Sequence, residues 1–218
     1  MNWQKEVGKN KQRKHTKDIA KLWLGIKTMS KQAKTLNATE LRRILDYVAT
    51  RKHNIRNRCL VLTSFLSGMR VGEIANLRYG DVVNADGTIK NEIRLTAEQT
   101  KGNEGRTVFV NEKLQKEFGI YCRVYKAQAN EKFFYSQKAD SDGFTANTLT
   151  QFFHHLYRKC SIAGASSHSG RRTFATNIAS SGVGIKVLQK LLGHKNIQTT
   201  SVYIYASDDM LRKAVELV

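Results

Sequence analysis

Proline does not occur once in the 218 residues of the chain. Its turns must therefore be made by glycine, asparagine and other polar residues. Cysteine is scarce: Cys59, Cys122 and Cys160 are far apart, odd in number, and form no C-x-x-C pair. That pattern argues against a disulfide scaffold or a zinc module and fits thiols kept reduced in a cytosol. Long apolar runs are missing too, and nothing approaches the roughly 18 residues of a membrane span. The opening stretch "MNWQKEVGKNKQRKHTKD" carries charges where a secretory signal would be apolar. Acid is the last thing in short supply, with 18 Asp+Glu against 37 Lys+Arg, a formal net charge of +19.

A charge this far from zero costs self-repulsion in a compact state. It reads as a surface that faces a polyanion, with nucleic acid ahead of an anionic membrane. Residues 1–36 concentrate the excess, with ten Lys/Arg against two Asp/Glu. They read as a basic arm, flexible or partly helical over "IAKLWLGI". Lys9, Lys11, Arg13, Lys14 and Lys17 are its candidate phosphate contacts.

From residue 37 the pattern tightens. "NATE" offers an Asn cap with Glu three residues on, and Leu41, Ile44, Leu45 and Val48 follow at helical spacing. "IRNRCLVLTSFLSG" reads as a buried helix closed by Gly68, and "RVGEIANL" as a shorter one. The period then changes. "IKNEIRL" and "RTVFV" read as strands joined by a hairpin rich in glycine and asparagine. Helices are expected again over 112–127, 146–160, 170–180, 184–192, 197–205 and 208–217. The fold class is therefore mainly α with a small antiparallel β-sheet (α+β).

Several polar residues sit where this chain turns. Arg70 follows Gly68, and Lys101 lies at the hairpin tip in "QTKGNEGR". His168 and Arg171 open a helix in "HSGRR", His194 follows Gly193, and Tyr203 and Tyr205 come soon after. Taken singly, each has a bland role as a solvated cation, a helix cap or a packing group. As a set they lack the carboxylate pairs of a two-metal nuclease, the H-E-x-x-H or cysteine cluster of a zinc site, and the Gly-rich signature of a P-loop. No metal or other cofactor is expected. The set suits a phosphate instead. Two guanidiniums can grip its oxygens and stabilise the charge of a pentacoordinate transition state. A tyrosine can hold phosphorus covalently, and a lysine can protonate the leaving oxygen.

These segments resemble the tyrosine recombinase (phage integrase) family, which includes phage integrases and Xer recombinases. "SGMRVGEIANLR" is similar to its first-arginine box, "TKGNEGRTVFV" to its hairpin-lysine segment, and "HSGRRTFATNIASSGVGIKVLQKLLGHKNIQTTSVY" to its second box through the tyrosine. The likeness covers about residues 37–207. It implies a DNA strand-exchange enzyme that works through a 3′-phosphotyrosyl link and frees a 5′-hydroxyl, without ATP or metal. Carried over residue by residue, Arg70 and Arg171 clamp the phosphate, and His168 bonds it and assists proton transfer at the tyrosine. Lys101 is the general acid, His194 a further phosphate donor, and Glu73 a residue behind Arg70 that orients it. The spacing from His194 selects Tyr203 as nucleophile. On a helix, Tyr205 would point about 200° away.

The resemblance implies double-stranded DNA as partner and self-assembly into a dimer or tetramer on it. It leaves room for DNA-bending accessory proteins and implies no membrane. The implied place is on DNA in the cytoplasm of a bacterial or phage-infected host cell. The expected organisation is a basic arm over 1–36, a catalytic domain over 37–206 and a tail helix over 207–218, docked on a neighbouring protomer. Family members commonly carry a helical DNA-binding domain ahead of the first arginine. With only 36 residues before Asn37, the chain reads either as a minimal recombinase or as a catalytic fragment. Two rival readings are a topoisomerase IB-like relaxase and a non-catalytic DNA-binding protein of the same fold. The compact length and the L-G-H box argue against the first. The presence of Arg70, Arg171 and Tyr203 argues against the second.

Overall fold

The computed structural model describes residues 32–100, 102–137 and 141–204, with Arg212, Val215 and Glu216 beyond. Every element below lies in the unit Ala33–Val218. Helix α1, Ala38–Ala49, begins as its sequence dictates. Asn37 Oδ1 accepts the Glu40 N–H at 2.8 Å, and Glu40 accepts the Asn37 N–H at 3.2 Å. The two bonds satisfy two of the donors that a helix start leaves orphaned.

Helix α2, Asn54–Ser67, is the axis of the fold, with residues 59–65 all buried. A helix enclosed on every side needs apolar or internally bonded residues all round. Its polar ones comply, since the Thr63 and Ser67 hydroxyls donate to carbonyls one turn back. Against α2 pack α1, α5 (Glu112–Val124) and α7 (Ser169–Ser180). Short α3, Val71–Asn76, leans on α6, Ala146–Lys159. A single turn, α4 at Tyr79–Val82, was not legible in the sequence.

Strands β1 (Glu92–Leu95) and β2 (Arg106–Phe109) pair antiparallel, with Ile93 opposite Val108 and Leu95 opposite Arg106. They fall inside the two expected segments, and the class is the expected one, mainly helical with one small antiparallel sheet among the described residues. The inward face of the sheet joins Leu60, Phe118, Tyr121 and Phe133 in a large apolar core.

A second, much smaller cluster forms between α7 and α8 (Ile185–Leu192). Ala175, Ala179, Leu188 and Leu192 are its buried members, with Phe174, Ile178 and Tyr203 packed against them. Beyond it the sequence suggested a helix over 197–205, and the structure corrects this. Helix α9 is one turn, Gln198–Ser201, and Val202 and Tyr203 lie in a turn. Ile197, Thr199 and Thr200 are β-branched, a weak basis for a helix, and the Thr200 side chain is engaged by His194. Helical phase therefore does not separate Tyr203 from Tyr205. Tyr205 lies outside the described residues, as do Lys101, the arm with Lys9, Lys11, Arg13, Lys14 and Lys17, and most of the expected tail helix.

Candidate active site

Two glycine-ended helices set up the site. Gly68 closes α2 at φ +62° and Gly193 closes α8 at φ +60°, in the left-handed region where a side chain is strained. Space forbids a side chain as well. A Cβ on Gly68 would lie 2.5 Å from Phe174 Cδ1, and one on Gly193 would lie 2.5 Å from Arg106 Cδ. Each turn leaves helix-end carbonyls without helical partners, and arginines take them.

Arg171, on the first turn of α7, is 5 % exposed. Its Nη1 donates to Gly68 O at 2.6 Å and its Nη2 to Leu192 O at 2.7 Å. Burial, and then the nearby Arg70 charge, pull its pKa down to about 9. It remains a cation at neutral pH. Arg70, just ahead of α3, sends Nη1 to Glu73 Oε1 at 2.8 Å and Nη2 to Gly193 O at 3.1 Å. Its backbone N–H donates to Glu73 Oε2 at 2.7 Å.

Glu73 is 1 % exposed and holds a second guanidinium. Arg106 donates from Nε to Oε1 at 3.2 Å and from Nη2 to Oε2 at 2.7 Å. Arg106 Nη1 reaches Leu191 O at 2.8 Å. Leu191, Leu192 and Gly193 thus each give a carbonyl to a different arginine. Cations at a helix C-terminus also suit its dipole. Burial alone would raise the Glu73 carboxyl, but the bonds and charge of Arg106, with Arg70 and Arg171, hold it below the usual carboxylate range.

Sequence reasoning missed Arg106, though the signal was present. Strand periodicity places it on the same face as Val108 and Val110, which are buried. A charge on a core-facing strand position demands a partner.

His194 lies beside Arg171. Arg171 Nη2 is 2.9 Å from His194 Nε2, and Nδ1 is 2.9 Å from Thr200 Oγ1. A guanidinium can only donate, so Nε2 accepts and Nδ1 carries the proton toward Thr200. Burial first, then Arg171, Arg70 and Arg106, lower its pKa to about 4. Both ring nitrogens are thus engaged within the protein.

The Tyr203 ring lies nearly parallel to that of His194, with centroids 6.3 Å apart and a 17° interplanar angle. The Arg172 Cζ is 5.8 Å from the Tyr203 ring centroid, near the limit for a cation–π contact. His168 is exposed at the start of α7, where its backbone N–H donates to Ser166 Oγ at 3.3 Å. The fold therefore brings Arg70, Glu73, Arg171, His194 and Tyr203 into one connected group, with Arg106 and Thr200 added.

On the hairpin side a cleft of about 620 Å³ opens beside this group. Its lining includes Arg70, Arg106, Lys186, Lys190 and Lys195, with Glu104 as the acid among the lining residues. Thr100 and Gly102, the neighbours of Lys101, are part of the wall; Arg171 and Tyr203 are not. Such a basic concavity focuses field on an anion.

Fold, site and motifs define a class, and comparison with known proteins agrees. The phage integrase family profile matches residues 34–210, and the chain belongs to that family. It is 28% identical over 183 residues to the tyrosine recombinase XerA of Pyrococcus furiosus, covering 84% of this chain and 61% of that protein. With the tyrosine recombinase XerC of Caldanaerobacter subterraneus subsp. tengcongensis it shares 32% over 162 residues, covering 71% of this chain and 43% of that protein. The crystal structure of XerA recombinase superimposes with a TM-score of 0.65 at 26% identity, over 84% of this chain and 64% of that one. The catalytic domain of bacteriophage HP1 integrase has the same fold, with a TM-score of 0.59 at 21% identity, over 85% of this chain and 95% of that one. The chain spans about three fifths of the length of XerA from Pyrococcus furiosus.

Proposed function

We propose that this protein is a site-specific DNA recombinase that breaks and rejoins strands through a 3′-phosphotyrosyl intermediate. The observation that carries this reading is the connected group itself. Two guanidiniums are fixed by successive carbonyls at the end of α8, and one of them, Arg171, reaches His194, whose ring lies beside half-buried Tyr203.

In this reading Arg70 and Arg171 hold the non-bridging oxygens of the scissile phosphate. Their charge substitutes for a metal in the transition state. The Tyr203 oxygen bonds to phosphorus, and its proton passes to His168. The bond from phosphorus to the 5′-oxygen breaks, and Lys101 supplies the proton that makes the 5′-hydroxyl. Rejoining runs the same steps backward with another 5′-hydroxyl. Glu73 orients Arg70, and His194, whose ring nitrogens are engaged by Arg171 and Thr200, orients Arg171 in place of the phosphate-donor role the family resemblance implied. The basic arm, through Lys9, Lys11, Arg13, Lys14 and Lys17, adds phosphate contacts without sequence preference. Removing it should flatten the dependence of log affinity on log salt by about 0.9 for each phosphate no longer neutralised. Weakened binding confined to one DNA sequence would count against that role.

The test uses a pool of nicked duplexes with randomised sequence, mixed with the protein. DNA that remains attached after denaturation is sequenced. Recovery of a defined motif, joined at its 3′-phosphate, supports the reading. Relaxation of a supercoiled plasmid carrying the recovered motif, with no exchange between two copies of it, points to a relaxase. No attached DNA would make the protein a binder of the same fold. Crosslinking on the recovered duplex reports whether a dimer or tetramer forms.

A further inference from the structure

We infer that Arg106 is a positioning residue for the phosphate-binding arginines, a role that rests on the recombinase reading above. Its guanidinium is the joint between three separate segments. Nε and Nη2 hold the Glu73 carboxylate at 3.2 and 2.7 Å, and Nη1 holds Leu191 O at 2.8 Å. The side chain is itself carried by the first residue of β2. One planar fork therefore fixes the start of α3, the end of α8 and the base of the hairpin relative to one another.

The geometry leaves Arg70 dependent on this joint. All four acceptor positions of Glu73 are used, two by Arg106 and two by Arg70. Without Arg106 the carboxylate would keep one guanidinium and lose the bonds that set its plane. A lysine could not substitute. It is a point donor, whereas this position uses three N–H vectors in a rigid plane, aimed at three acceptor oxygens. Arg106 also packs where a Gly193 side chain would stand, so it shapes the turn whose carbonyl Arg70 uses.

Removing Arg106 should also give activity a new dependence on pH. The groups that face Glu73 are Arg70, Arg106, Arg171 and, at longer range, His194. Arg106 provides the largest of the influences that oppose the effect of burial. In its absence Arg70 and Arg171 alone oppose burial, and the carboxyl protonates at a higher pH than in the wild type. A neutral Glu73 cannot accept every bond Arg70 offers. Loss of activity should therefore deepen as pH falls and ease as it rises.

Arg106→Gln and the milder Arg106→Lys test the inference in two arms. In the free protein, amide hydrogen exchange is followed at Arg70, whose N–H is held by Glu73. Exchange there should quicken about tenfold or more, the equivalent of one lost hydrogen bond of roughly 1.4 kcal/mol, while the α2 amides keep their protection. Unchanged exchange at Arg70 would overturn the inference, whatever the DNA results. In the second arm, adduct formation is timed on the duplex recovered by the wild-type protein. A fall of about 100-fold in rate is expected, of the size that misplacement by an ångström produces, with DNA affinity little changed and the loss greatest at low pH. A variant rate equal to wild type at every pH would overturn the positioning role and leave the recombinase reading intact. If the wild-type protein forms no adduct, that reading fails and exchange at Arg70 alone decides whether Arg106 sets the site.

Discussion

The large core around α2 and the small cluster between α7 and α8 are built on different terms. The first buries Leu60, Phe118, Tyr121, Phe133, Phe153 and many more, so its geometry is fixed by packing in depth. The second has four buried members, two of them alanines. Fully burying an apolar side chain contributes on the order of 1.5–3 kcal/mol, so the small cluster has little independent means of holding position. Yet it carries Tyr203 and His194. What fixes it is the polar seam. Arg70 follows α2, Arg106 stands on the sheet and Arg171 is on α7, which packs against α2, and each grips one of three successive carbonyls at the end of α8. The difference teaches that the same cations which suit a phosphate also fasten the segment bearing Tyr203, the proposed nucleophile. A mutation in the seam is therefore both a chemical and a mechanical lesion, whereas one in either cluster is mainly mechanical.

The largest expected effect falls on the small cluster and leaves its mechanics alone. Tyr203→Phe keeps the ring that packs against α7 and α8 and stacks near His194. It should leave the thermal midpoint and DNA affinity nearly unchanged and abolish the covalent adduct. An adduct that persists would shift the nucleophile to another residue, Tyr205 first, and leave the reaction class standing.

Next comes the seam. Arg171→Lys preserves charge and loses the fork that reaches Gly68 O, Leu192 O and His194 together. Adduct formation should slow by on the order of 10²–10³. Stability should fall too, because two buried carbonyls lose donors at about 1–3 kcal/mol each. Equal losses in DNA binding and cleavage would argue against action in the transition state. Cleavage abolished with no change in stability would show that the seam does not hold the two regions together.

How much of this was legible beforehand divides along the same line. The large core followed from periodicity. The Asn37 cap, the glycine at the end of α2 and both strands stood in the sequence because their causes are local. The motif residues Arg70, Glu73, Arg171, His194 and Tyr203 could be named, since their spacing is a pattern in one dimension. The seam was not legible. That Leu191, Leu192 and Gly193 would each meet an arginine depends on pairings up to 123 residues apart in the chain. The single turn at Gln198–Ser201 escaped as well, because the side chain of Thr200 is committed to a residue that sequence alone does not place beside it. Arg106 could have been found from strand parity, but its partner could not.

A smaller effect should separate the clusters by cooperativity. Leu188→Ala and Leu60→Ala each remove a fully buried leucine, at about 2–5 kcal/mol apiece. Leu60→Ala should lower hydrogen-exchange protection throughout the chain. Leu188→Ala should do so chiefly in α8 and the turn after it, opening locally while α2 stays closed. If Leu188→Ala weakens α2 by the same amount, the two regions unfold as one unit and do not differ in how they are held.

The smallest effect concerns pH and isolates one bond of the seam. In the folded protein His194 has a pKa of about 4, lowered by burial and by Arg171, Arg70 and Arg106. An unfolded histidine titrates near 6.5. Between those values the unfolded chain takes up a proton that the folded one refuses. Stability should therefore fall as pH drops through about 6.5, and that loss should be complete near 4. Above the upper value both forms are neutral and His194 contributes no slope. His194→Gln can still accept from Arg171 and donate to Thr200 but cannot titrate. The other five histidines are common to both proteins, so the difference in urea midpoint between wild type and variant, followed from pH 7.5 to 4.5, isolates His194. The wild type should lose ground to the variant on the acid side of that window. Parallel curves would mean that Arg171 does not hold the ring neutral, and that this part of the seam is looser than its geometry indicates.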